Sequence, residues 1–164
     1  MTLGFTGEHT QKVDSKGRMS VPADFRRVLE AGDPDWTTGL QVGLYVIYGD
    51  HLKDSLHVYT VTEYRKMMAE IEEMPKGDPN RKMVSHLMIT QSEFMSIDKD
   101  GRVVLPLKRR EKLGLSEGML SFRGMVGHFE IWKDDTYQSS VGDKVKDWLA
   151  DKGEDFDPLS MLGA

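Results

Sequence analysis

The sequence predicts an α+β chain, mainly β, in which two tandem copies of one unit complete a single barrel-like core with flanking helices around a pseudo-twofold axis. Three observations lead there. Residues 13–22, Val-Asp-Ser-Lys-Gly-Arg-Met-Ser-Val-Pro, return at 97–106 as Ile-Asp-Lys-Asp-Gly-Arg-Val-Val-Leu-Pro, an offset of 84. The match resumes after a change of register, with Val58-Tyr59 and Tyr64 answering Ile131-Trp132 and Tyr137 at an offset of 73. The first copy therefore carries about 11 extra residues, in or near 32–55, where Gly-Asp-Pro-Asp and Gly-Asp-His supply turn chemistry. Finally, one copy of about 75 residues with short strands is too small to hold a core alone, whereas two can share one.

The elements follow in order. A strand runs into Asp14 and another leaves from Arg18, with Ser15, Lys16 and Gly17 between them. A three-residue hairpin loop places its last residue in the left-handed region, which glycine enters without a Cβ clash. Asp14 and Arg18 then face each other across the mouth of the turn. Pro22 opens a helix over 22–31 that puts Phe25, Val28 and Leu29 on one face, and Gly32 stops it. Residues 44–48 and 56–59 read as strands and 62–74 as a helix. Two prolines and a glycine in 74–80 end that helix and mark the joint, so the repeats span 1–75 and 76–150. In the second copy Lys99, Asp100 and Gly101 form the turn, and Pro106 opens a helix over 106–113 that stops at Gly114. Strands at 119–122 and 129–132 and a helix over 134–149 complete it. Residues 151–164 read as a loose acidic tail.

Composition narrows the function classes. The 164 residues carry 22 Lys+Arg against 27 Asp+Glu, a net charge of −5, with 30% charged and 38% hydrophobic residues, as in a soluble globular protein. The absence of cysteine removes disulfides, thiolate metal sites and cysteine nucleophiles. No stretch approaches the 18 apolar residues of a membrane span, and Met1-Thr2-Leu3-Gly4-Phe5-Thr6-Gly7-Glu8 lacks the basic start and apolar run of a leader, so a cytoplasmic protein with no membrane partner is expected. None of the five histidines shows H-E-x-x-H spacing, and there is no P-loop and no G-x-S-x-G. Glu72-Glu73 and Asp134-Asp135 read as water-facing acids. No catalytic residue, metal, cofactor or small-molecule substrate is expected.

Charge is unevenly distributed. Residues 10–27 hold five basic and two acidic side chains, and 97–112 hold six basic and three acidic, a local balance of +3 each. Residues 133–164 carry four basic and eight acidic side chains. Phosphates respond to that local field rather than to the net charge.

The paired Asp-x-x-x-Arg turns, each followed three residues on by an apolar residue and proline, resemble the MraZ family. Phe5-Thr6-Gly7 and Phe129-Glu130-Ile131-Trp132 fit the same pattern, and the resemblance covers about residues 4–140. It implies the AbrB-like swapped-hairpin class of bacterial transcription factors, built as a fused dimer of that fold. It further implies ring homo-oligomers, nucleoid association, and binding to repeated short boxes upstream of the division and cell-wall gene cluster, which includes the regulator's own gene. It places the family's DNA-contacting motif on Asp14, Lys16, Gly17 and Arg18.

The chemistry of these residues suits that expectation. A two-stranded ribbon fits the major groove of double-stranded DNA, where the arginine fork reads guanine and lysine serves phosphate as a point charge. Arg18 is thus the expected base reader, Lys16 a base or phosphate contact and Lys12 a phosphate contact. Arg102 and Lys99 are the second turn's candidates, though Asp100 stands where the first copy has Lys16 and would repel phosphate. Asp14, Gly17, Asp98 and Gly101 are expected to build the turns. Arg26, Arg27, Arg109 and Arg110 read as solvated or interface ion-pairing residues, and Trp36, Trp132, Trp148 and the tyrosines as core or interface. A second class remains open: an oligomeric assembly module with DNA binding secondary or lost.

Overall fold

In the computed structural model, which describes Leu3–Gly163, alternation of apolar and polar residues sets the strands. They run in the order β1 (Glu8–Val13), β2 (Arg18–Ser20), α1 (Ala23–Ala31), β3 (Val42–Ile47), β4 (Ser55–Tyr59) and α2 (Val61–Glu72). The second half has α3 (Pro79–Ser85), a π-helical segment His86–Thr90, β5 (Ser92–Ile97), β6 (Arg102–Val104), α4 (Leu107–Leu113), β7 (Gly118–Gly124) and β8 (His128–Lys133). Met1, Thr2 and Ala164, the outer ends of the expected first repeat and tail, lie outside the described residues.

All eight strands join one antiparallel sheet in the order β5-β3-β4-β8-β7-β1-β2-β6. The two edge strands, β5 and β6, are joined by the second repeated turn, where the Asp98 amide donates to Arg102 O at 2.8 Å. The sheet is therefore nearly closed into a barrel. Exchanging each strand for its counterpart in the other copy, β1 for β5 through β4 for β8, reproduces the same circular order read backwards. That is the signature of a pseudo-twofold axis, running between the self-paired β4–β8 and β2–β6.

The copies interleave rather than stand side by side. β1 pairs with β7, β3 with β5, β4 with β8 and β2 with β6, so most pairings join one copy to the other. Each short hairpin gains the partners it lacks alone. Inward-facing residues Val13, Met19, Leu44, Val58, Val103, Leu120, Phe122 and Ile131 build one core with Phe25 and Leu29 of α1. Phe5 and Phe129 close it, their rings 5.0 Å apart and edge-on, with Phe25 4.8 Å from Phe129. Burying such rings is worth several kcal/mol each.

The helix signals hold with small shifts. Pro22 and Pro106 sit just outside α1 and α4 as the capping residues, rather than inside the first turn. Gly114 ends α4 in the left-handed region at φ 87°, while Gly32 ends α1 at φ −93°. The extra residues of the first copy are two longer loops rather than one block: 32–41 against 114–117, and 48–54 against 125–127. Asp33 organises the first loop, its Oδ2 accepting from Gly43 N at 2.8 Å. The joint at 74–80 also starts a helix that the sequence reading did not include. Asp78 caps α3 by accepting from Asn80 N at 2.9 Å, with Pro79 at the first position. A smaller second core covers the outer face of β3, where Ile47, Leu52 and Tyr64 meet and the Tyr45 and Tyr64 rings stack at 3.8 Å.

Residues from Asp135 onward form a separate compact unit. Its helical run passes through a π segment, Tyr137–Val141, into Gly142–Ala150. Within it Phe156 packs edge-on against Trp148 at 5.5 Å and the Lys152 ammonium lies 4.4 Å from the indole. Pro158–Met161 form a 3-10 turn capped by Asp157.

Candidate nucleic-acid interface

The backbone of each repeated turn is wired in the same way, although the arginine side chains are not. The carboxylate Oδ1 of Asp14 accepts from the amides of Lys16 and Arg18, both at 2.9 Å, and Oδ2 accepts from Arg18 Nε at 2.6 Å. Asp98 repeats the pattern, accepting from the amides of Asp100 at 2.8 Å and Arg102 at 3.0 Å. Gly17 and Gly101 close the turns at φ 85° and 77°, as the sequence requires. The amides of Arg18 and Arg102, first among the causes, hold Asp14 and Asp98 below the ordinary aspartate value of 3.8. The side-chain hydrogen bond from Arg18 adds to this at Asp14.

A depressed carboxylate stabilises its turn above the unfolded pKa and loses that contribution as pH falls through the folded one. The Lys16, Arg18, Asp100 and Arg102 amide resonances are therefore expected to stay fixed from neutral pH down to about 3.8, then move together below it. Movement between pH 7 and 5 in NMR spectra would contradict the assignment.

The turns brace each other across the pseudo-twofold. Leu105 N donates to Gly17 O at 2.7 Å, and Val21 N donates to Gly101 O at 3.0 Å. Arg110 supports the first turn from α4. It is buried, and it donates from Nε to Leu105 O at 2.8 Å, from Nη1 to Ser116 O at 2.5 Å and from Nη1 to Ser15 O at 3.4 Å. Its counterpart Arg26 lies against the second turn, where a Cβ on Gly101 would come within 2.8 Å of Arg26 Nη1. The reading of Arg110 as a solvated residue is thus corrected: its guanidinium satisfies backbone carbonyls in the interior. Arg109 is corrected in part, pairing with Glu93 at 3.1 Å while lying 3.3 Å over the Tyr48 ring. The identity of Arg26 and Arg110 at the same offset as the turns was the available clue.

The outward face is set by register. Met19 and Val103 point inward and pair with each other. Arg18 opposite Val104, and Ser20 opposite Arg102, therefore point outward, which places Arg18 and Arg102 diagonally on one face of β2–β6. Lys12, Lys16 and Lys99 are exposed around them. The two arginines differ in their freedom. Arg18 is tied through Nε alone, and among the described residues its two terminal amino groups have no protein partner. Arg102 is divided between Asp98 at 3.7 Å and Asp100 at 3.2 Å. The acid in place of Lys16 thus occupies the second arginine as well as changing the charge of the turn.

Comparison with known proteins places this architecture. The family model described as "MraZ protein, putative antitoxin-like" matches residues 5–87 and again 88–146. A transcriptional regulator MraZ of Ruegeria pomeroyi is 42% identical over 162 residues, covering 99% of this chain and 96% of that protein. One from Cereibacter sphaeroides is 42% identical over 168 residues, covering 99% and 97%. A more distant relative of the same name, from Coxiella burnetii, is 28% identical over 157 residues, covering 94% and 95%.

Proposed function

The chain belongs to the MraZ family, and we propose that it is a sequence-specific double-stranded DNA-binding transcriptional regulator acting through the outer face of its repeated hairpins. The observation that carries this reading is the state of Arg18: Asp14 fixes its Nε while the end of the fork faces solvent on a turn of local charge +3. A guanidinium held this way loses little further freedom on meeting a guanine edge. Lys16 at the tip and Lys12 on β1 supply phosphate contacts, and Lys99 and Arg102 supply weaker ones. Asp14, Asp98, Gly17 and Gly101 hold the geometry. The repeats at 1–75 and 76–150 act as one fused pair, with 151–164 an acidic tail that takes no part in the contact.

The finer reading is a ring homo-oligomer that sets many first turns against repeated short boxes upstream of its own operon, in the nucleoid. The uneven charge supports it, since copies arranged around a ring would multiply the basic turns on one face. The test is fluorescence anisotropy of a duplex from upstream of its own gene against a shuffled duplex, across a salt series. Specific binding gives a large preference for the native duplex and a negative log–log salt slope of about 0.9 per neutralised phosphate. Equal, weak binding to both would favour the assembly-module reading instead.

A further inference from the structure

We propose that His57, His128 and Glu130 form a binding site for one divalent transition-metal ion of the zinc type, bridging the two repeats. His57 lies directly opposite Glu130 in the β4–β8 ladder, and Tyr59 opposite His128. Their neighbours Leu56, Val58, Phe129 and Ile131 fill the core, so the period of two puts both imidazoles and the carboxylate on the other face together. The two rings stack 4.6 Å apart with 27° between their planes, which holds them side by side on that face. Glu130 Oε2 is 3.5 Å from His57 Nε2 and 3.8 Å from His128 Nε2, and the three donor atoms all lie within 4.8 Å of one another. Tetrahedral zinc with bonds of about 2.0–2.1 Å holds its donors roughly 3.3–3.5 Å apart, so the two His–Glu distances are near that spacing and the imidazoles turn toward each other to close the rest.

The surroundings divide the carboxylate into two jobs. Trp132 Nε1 donates to Oε1 at 2.9 Å, and Arg123 Nε stands 3.5 Å from the same oxygen. Those groups orient Glu130 and leave Oε2 to the imidazoles, as outer partners do around metal-bound carboxylates. His128 Nε2 is buried and has no hydrogen-bond partner, which costs free energy unless something completes it. The side chains remain 18%, 20% and 11% exposed for His57, His128 and Glu130, so the cluster lies just beneath the surface of the sheet. Two imidazoles and one carboxylate suit zinc and its neighbours rather than magnesium or calcium, which demand oxygen ligands.

The test uses the full-length chain after chelator treatment. Zn2+ competition with a chromophoric chelator should show one tight site per chain, Co2+ should develop visible d–d absorption, and Mg2+ should do neither. His57→Gln or His128→Gln should weaken Zn2+ binding by more than about 100-fold, beyond what loss of an outer-shell partner costs. The absence of a stoichiometric site, or affinity unchanged in both variants, would overturn the proposal. Should a variant misfold, 15N spectra of the unaltered chain decide: Zn2+ should shift the His57 and His128 ring nitrogens. Shifts confined to His9, His51 and His86 would sink the idea.

Discussion

Arg18→Ala is expected to lower affinity for the specific duplex by about 5- to 150-fold per engaged contact, the fold equivalent of roughly 1–3 kcal/mol for a bidentate base pairing. Affinity for a shuffled duplex should fall far less. The reasoning is structural before it is functional. Arg18 lies on the outward face of β2, and Asp14 holds only its Nε, so truncation removes the fork without removing packing from the core. The cost to stability should be small, as for an exposed ion pair. Arg18→Lys keeps the charge and discards the fork, so it should preserve the salt slope while losing the sequence preference. Arg102→Ala should cost clearly less, because Asp98 and Asp100 already engage that guanidinium. Anisotropy titrations of the three variants against both duplexes decide the matter. Equal losses for Arg18→Ala and Arg102→Ala would refute the asymmetry between the turns, and no loss for either would remove base reading from this face.

How far the sequence carried this picture can be traced residue by residue. The turns were legible because one glycine, one carboxylate and one arginine at fixed spacing specify a hairpin locally, and Gly17 and Gly101 sit in the left-handed region as that spacing requires. The single core was legible because the motif occurs twice. The interleaving that builds it, β1 on β7 and β3 on β5, rests on long-range pairing that no local pattern states. α3 was missed although Asp78-Pro79 is a capping pair, because the same prolines read first as the end of α2. Arg110 was misread for a different reason. Charge on a short helix usually faces water, whereas here the guanidinium turns back to the carbonyls of Leu105 and Ser116 on either side of its own helix, and the first turn packs Ser15 O against it. His57, His128 and Glu130 were invisible as a set, since their proximity comes from the β4–β8 register and not from spacing along the chain.

Three glycine-to-alanine variants should separate backbone conformation from tertiary collision, with Gly17→Ala the most destabilising. Gly7, Gly17 and Gly101 have nearly the same φ, at 84°, 85° and 77°. An alanine pays roughly 1–2 kcal/mol for the left-handed region at each of them. At Gly7 nothing lies within 4 Å of the added methyl, so that conformational term is the whole effect. At Gly101 the methyl meets the far end of Arg26, 2.8 Å away, which can swing aside. At Gly17 it runs into the Leu105 carbonyl oxygen. That backbone cannot retreat freely, because Leu105 O accepts from Arg110 Nε at 2.8 Å and Leu105 N donates to Gly17 O at 2.7 Å. Opening either bond leaves a buried polar group unpaired, a further cost of about 1–3 kcal/mol. Gly17→Ala should therefore lose about 2–5 kcal/mol in all, a fall in Tm of roughly 5–15 °C for a chain of this size. Calorimetry on the three variants gives the ranking Gly17, then Gly101, then Gly7. If Gly17→Ala melts with Gly7→Ala, the cross-bracing between β6 and the first turn carries no stability, and the rigidity attributed to the Arg18 face has another source.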